Sequence, residues 1–298
     1  VDMDVGAAAM AQRLEELSNG ARFIAVERWT QRQPREALQW VERSLNLCQR
    51  VLGGTVTLVT KQAARRCMTH GWELASAFAL DASRTVLKRH AADFQRLTPL
   101  LLPTDTPFVE VLRSRLRQQL PHLLDLPQAQ ALTQPQDPWL QALLRPFFLP
   151  HATLNRYYEN VMAQASLDQA PAAALLRYAA PQIEPSWWAR LRSGNPIGAW
   201  LLEQTPSATL LPDMLEVRAL ESQRRLFLLT LQCVQAGTLP KDPEACVAAA
   251  PPALRNPFDG SAPQWDESAR SLKLPIPQPT SASYPAPTYL PQVLLPTL

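Results

Sequence analysis

Proline divides this chain more sharply than any other residue type. Of its 29 prolines only Pro34 precedes Pro99, and the other 28 occupy the last two thirds of the 298 residues. Proline removes a backbone donor and clashes with the preceding helical turn, so long helices belong to the first third and short ones to the rest.

The first third carries the matching helical signals. In PREALQWVERSLNLCQRVLGG, Pro34 stands where a first turn tolerates proline and Gly53 where a helix can end in a left-handed cap. Val41, Leu45, Cys48 and Leu52 recur at helical spacing and form one apolar stripe. A second helix is predicted to begin near Thr57 in TLVTKQAARRCMTHGWELASAFAL, with Ala63, Cys67, His70, Leu74 and Phe78 on its stripe. A short Gly-Gly-Thr turn joins the two, which predicts an antiparallel pair with a cysteine from each helix on the packed side.

From residue 99 the chain alternates short helical segments with proline corners, as in TPFVEVLRSRLRQQL, HATLNRYYENVMAQASL and NPIGAWLLEQ, without a fixed repeat. A longer helix is predicted over 213–236, with Leu215, Ala219, Leu226, Leu229 and Cys233 on one face. No stretch alternates apolar and polar residues with β-branched enrichment, so strands are minor at most. The fold class is therefore all-α: an irregular multi-helix bundle with long helices first and an extended tail. Three regions are expected: a long-helix subdomain over 1–98, a proline-punctuated helical region over 99–271 packed on it, and a proline-rich tail over 272–298. That tail holds a single charge, and its composition favours polyproline-type extension, either as a strap on the domain's own surface or as a docking peptide.

The 46% apolar content is enough for a core. With 29 Lys and Arg against 26 Asp and Glu spread along the chain, the net charge of +3 gives no basic face for collecting phosphates, and nucleic acid is set aside as a partner. No run approaches the roughly 20 apolar residues that span a bilayer.

Four cysteines remain to be explained. Cys48 and Cys67, and likewise Cys233 and Cys246, lack the close paired spacing of zinc ligands and of C-x-x-C redox motifs, so no metal is expected. Cys233 and Cys246 flank CVQAGTLPKDPEAC, a Gly/Pro loop after a helix, while Cys48 and Cys67 face each other across a helical hairpin. Two bridges, the 233–246 bridge alone, or four core thiols all fit this spacing. Each closure of this size contributes about 3 kcal/mol in the chain-entropy model, and bridges imply an oxidising compartment.

Catalytic patterns are absent. His70, His90, His122 and His151 occur singly, there is no G-x-S-x-G elbow, and the glycines of SGNPIG follow no strand. No catalytic residue or cofactor is assigned. Arg113 and Arg117 share a helix face that reads as solvated surface. The best candidates for an interaction surface are Trp187, Trp188, Arg190 and Arg192 in PSWWARLRSGNP, because Trp and Arg concentrate at interface hot spots, and Tyr157 and Tyr158 in LNRYYEN. Core packing accounts for part of both clusters.

Near the C-terminus, Asn256, Pro257, Phe258, Asp259 and Gly260, followed by Trp265, make a turn anchored by an apolar Phe258. The same residues resemble the Asp-Pro-Phe-x-Gly-x-Pro-Leu-aromatic ending of a group of uncharacterised, membrane-anchored, helical envelope proteins of proteobacteria, although Asp266 stands where that ending often has a basic residue. The resemblance implies an envelope location and an anchoring segment before Val1, and it carries no activity. The combined expectation is a non-enzymatic, periplasmic domain anchored to the inner membrane and binding another protein. A helical small-molecule or lipid-binding domain, or a hydrolase assembled from distant residues, are the alternatives.

Overall fold

The computed structural model describes residues 2–54, 57–98, 107–124, 148–177, 192, 194–204, 210–277 and 291–295. Among them are eleven α-helices: α1 (Asp2–Thr30), α2 (Pro34–Gly54), α3 (Leu58–Asp81), α4 (Arg84–Arg89), α5 (Ala91–Arg96), α6 (Val109–Leu124), α7 (Pro150–Ala165), α8 (Ala172–Arg177), α9 (Pro196–Gln204), α10 (Leu211–Ala236) and α11 (Pro243–Ala248). A 3-10 turn at Pro252–Leu254 and three strands of three residues each complete the described elements, so the chain is mostly helical, with long helices first and, α10 apart, shorter ones after.

α2 begins at Pro34 and α3 follows Thr57, as the start signals predict, but the expected stop differs: Gly53 is itself helical, with no left-handed φ, and α2 runs on to Gly54. Val41, Leu45, Cys48 and Leu52 are buried against α3, whereas on α3 Ala63, Cys67 and Phe78 are buried and His70 and Leu74 only half so. The stripe on α3 departs from expectation because this helix packs against α1, α2 and α10 at once. Its buried set accordingly includes Thr60, Lys61, Arg65, Thr69 and Ser76 beside Met68, Trp72 and Ala75. Both cysteine pairs are bridged: Cys48–Cys67 staples α2 to α3, and Cys233–Cys246 joins the end of α10 to α11. Gly237, with φ of 80°, supplies the left-handed residue that ends α10.

α10 is the second central helix. Leu215, Ala219, Leu226, Leu229 and Cys233 are buried as the sequence predicts, and so are Glu216, Arg218, Ser222, Gln223 and Thr230. Further out, α6 packs on α7 and α7 on α9. Asn195 fixes the last of these contacts: its side-chain amide oxygen accepts from the backbone N–H groups of Leu149 (2.9 Å) and Gly198 (3.2 Å), while its Nδ2 donates to Thr153 Oγ1 (2.8 Å). A Cβ on Gly198 would lie 1.9 Å from Thr153 Oγ1, so only glycine admits this crossing.

The strands form one antiparallel sheet in the order β1 (Gln264–Asp266), β2 (Ser271–Lys273), β3 (Gln292–Leu294), with Trp265 opposite Leu272 and Leu272 opposite Val293. The turn at 256–261 that leads into it is built by Asn256, which accepts from Phe258 N–H (3.1 Å) and donates to Pro275 O (2.8 Å), while Phe258 enters the core. Residues 291–295 therefore lie on the chain's own surface. Val293 and Leu295 are buried, and fully buried Gln223 of α10 pairs with both backbone groups of Gln292, donating to its carbonyl (3.0 Å) and accepting from its N–H (3.1 Å).

This bidentate pair gives a direct expectation. Gln223→Ala leaves two backbone groups without their partner and costs about 1–3 kcal/mol. Amide hydrogen exchange at Val293 and Leu294 should accelerate in the variant while exchange in α2 and α3 stays at parent rates. Unchanged exchange at 291–295 would mean that the side chain does not hold the strap.

Candidate functional site

The turn between α1 and α2 lies beside the turn between α3 and α4, and a groove of about 710 Å³ opens there, lined in part by Trp29, Arg32, Asp81, Val86, Arg89 and His90. That is within the size range of ligand clefts. Its floor is set by Trp29, whose ring stacks on Phe78 of α3 with centroids 4.3 Å apart and planes at 4°. The indole Nε1 donates to Asp81 Oδ2 at 2.7 Å, so the ring is fixed at both its face and its edge.

Arg32 occupies the position where a helix stop of this kind ordinarily has glycine. Its N–H bonds Trp29 O (3.0 Å) and the N–H of Gln33 bonds Arg28 O (2.9 Å), the paired closing bonds of a Schellman motif. Arg32 itself is the left-handed residue, with φ of 60°, and a side chain there costs about 1–2 kcal/mol relative to glycine. Its guanidinium is exposed, as is that of Arg89 across the groove, and among the described residues neither forms an ion pair. His90 is held differently: its Nδ1 lies 2.9 Å from Asp93 Oδ2, and Asp93 also pairs with Arg96. The groove thus combines a fixed aromatic shelf, an apolar wall at Val86 and two uncommitted cations. It suits an extended segment that brings an apolar side chain and a carboxylate.

A second polar group is internal. Arg65 of α3 pairs with Glu216 of α10 at 3.1 Å, and Gln62 donates to Asp213 at 2.9 Å. Lys61, fully buried, donates from Nζ to Leu52 O at 2.7 Å and sits 5.2 Å from the Phe108 ring centroid. Burial drives its pKa from 10.5 down to about 8, offset in part by Asp168, with Arg218 adding to the fall. Asp168 accepts from the N–H groups of Phe108 (2.7 Å) and Val109 (3.1 Å) and so caps α6, while Arg218 donates to its backbone carbonyl. These groups are engaged with one another inside the helical stack, which makes this seam structural. Among the described residues, no group of three or more His, Cys, Asp or Glu side chains is placed to hold a metal.

Of the residues singled out from the sequence, Trp187, Trp188 and Arg190 lie outside the described residues, and Arg192 is exposed. Tyr157 is buried in the main core and Tyr158 is 49% exposed, so adjacent tyrosines on α7 face core and solvent and do not line one pocket. Arg113 and Arg117 are exposed, the first paired with Glu110. His151 is exposed as well. The groove residues share no spacing in the sequence, since they come from two turns 50 residues apart. The single local sign was WTQRQP: a helix end with proline two residues past an arginine where glycine belongs.

Comparison of the chain with protein-family models, curated proteins and solved structures gives no match, so its functional reading rests on the geometry of these residues.

Proposed function

We propose that this chain is a non-enzymatic, extracytoplasmic protein-interaction domain that receives an acidic, apolar-anchored segment of another protein in the groove at Trp29 and Arg32. The observation that carries the reading is Arg32: a side chain that is exposed, without an ion-pair partner among the described residues, and held at a conformational cost beside an immobilised tryptophan. Nothing in the packing of the turn calls for a guanidinium, whereas a ligand carboxylate would. Two bridges fit an oxidising extracytoplasmic compartment. Within that coarser placement we take the domain to be periplasmic in a bacterial envelope, attached to the inner membrane through a segment preceding Val1, as the resemblance at 256–265 implies.

Arg32→Gly separates binding from folding. The substitution should stabilise the fold by about 1 kcal/mol, because glycine adopts the left-handed conformation without a steric cost. It should also weaken, by about tenfold or roughly 1.4 kcal/mol, the binding of a labelled Glu- and Phe-containing peptide followed by fluorescence anisotropy. Arg89→Gln should weaken the peptide comparably, and raising salt should weaken the parent toward the variants. A peptide that binds the parent and Arg32→Gly equally, or binds neither, would refute the groove as the docking site.

A further inference from the structure

Away from the groove, Glu15, Ser18 and Asn19 of α1 and Arg66, Cys67 and His70 of α3 line a cavity of about 150 Å³, the room of roughly five waters at ~30 Å³ each. Ser18 is 3% exposed, and among the described residues its hydroxyl has no hydrogen-bond partner, so a buried polar atom is left for whatever enters. Cys67, one partner of the bridge to Cys48, lines this cavity at 3% exposure, whereas Cys48 is fully buried and does not line it. His70 follows Cys67 by one helical turn on the same helix.

We propose that Cys67 is a thiol-exchange site, at which a dithiol entering this cavity opens the Cys48–Cys67 bridge with His70 as the acceptor of its proton. The entering thiol gives its proton to His70, and its sulfur bonds to Cys67 Sγ. The bond between the two cysteine sulfurs breaks, and Cys48 leaves with the electron pair as a thiolate that is then protonated. The second thiol of the same dithiol attacks the mixed disulfide and releases Cys67 as a thiol. The dithiol departs oxidised to its own disulfide, and Cys48 and Cys67 are both reduced.

The surroundings of His70 suit this role. Burial first, then Arg22 and Arg66, lower its pKa from the ordinary 6.5, with Arg65 adding a smaller push and Glu15 opposing. Both effects favour the neutral imidazole, the form able to take a proton. Arg66 lines the cavity already paired with Glu15, and Arg65 is paired with Glu216, which leaves His70 as the group there that takes the proton of an entering thiol. The reactant class is a dithiol, and the site is independent of the groove and of its ligand.

The test uses the intact oxidised chain under native conditions. Dithiothreitol is added, samples are quenched in acid, and newly freed cysteines are alkylated and mapped by mass spectrometry, with Cys233–Cys246 as the internal clock. Cys48 and Cys67 should label at least about tenfold faster than Cys233 and Cys246. His70→Gln should slow their opening about tenfold at pH 6–7 and leave it near the parent rate in alkali, where the dithiol ionises unaided. Ser18→Leu, which fills the cavity, should slow opening at every pH. Opening of both bridges at one rate, or of Cys233–Cys246 first, would overturn the proposal from the parent protein alone. An acid-side rate unchanged in a folded His70→Gln chain would remove His70 from it.

Discussion

Asp168→Ala is expected to destabilise the protein by about 3–5 kcal/mol, measured as a fall in the urea midpoint at constant slope. The carboxylate sits at 6% exposure, where it accepts from two backbone N–H groups that open α6 and stands as counter-charge to Lys61 and Arg218. Removing it strands the two donors of Phe108 and Val109 and leaves the buried cations of α3 and α10 without that carboxylate. Asp168→Asn keeps an acceptor but not the charge, so it should fall between the parent and the alanine variant. A loss below about 1 kcal/mol for Asp168→Ala would mean that α6 is not anchored to the central helices through this side chain.

Lys61 gives the second large effect, and its sign is opposite to that of an ordinary salt-bridged lysine. Its folded pKa, about 8, lies below the 10.5 of the unfolded chain, so between these values the unfolded state binds more protons than the native one. Stability contributed through Lys61 must then rise with pH. The burden of keeping this ammonium buried is complete below about pH 8 and is lost as pH rises toward 10.5. The total is about 3 kcal/mol. Relative to Lys61→Met, which has no such titration, the parent should therefore gain about 3 kcal/mol between pH 7 and 10.5. Urea unfolding of both proteins across that range checks it. Parallel pH curves would show that the folded-state lysine titrates normally.

Both predictions concern groups that a stripe-based reading places poorly. Periodicity assumes that a helix has one inward face, and α2 obeys it: Val41, Leu45, Cys48 and Leu52 are all inside. α3 and α10 do not, because each is surrounded, and their polar residues are enclosed along with the apolar ones. Lys61, Arg65, Glu216 and Gln223 look like surface residues in the sequence, and their partners lie up to about 150 positions away. The groove escaped for a related reason. Trp29 and Arg32 lie at and just past the end of α1 and Asp81 ends α3, and only the packing of α1 beside α3 brings these ends together.

The amino-acid sequence carries, through local physics alone, the helical class, the long helices before Pro99, the starts of α2 and α3 and the apolar residues that α10 buries. It also narrowed the cysteines to two loop-closing pairs without choosing among bridges and free thiols. Packing between distant segments set the rest. It put Cys48 beside Cys67 and Cys233 beside Cys246, laid residues 291–295 along Ser271–Lys273, buried a charge seam between α3 and α10, and set Arg32 next to Trp29 at the mouth of a groove. Helix propensity and patterning act over a few residues, whereas these features depend on distances between segments, which only the packing of the whole chain fixes.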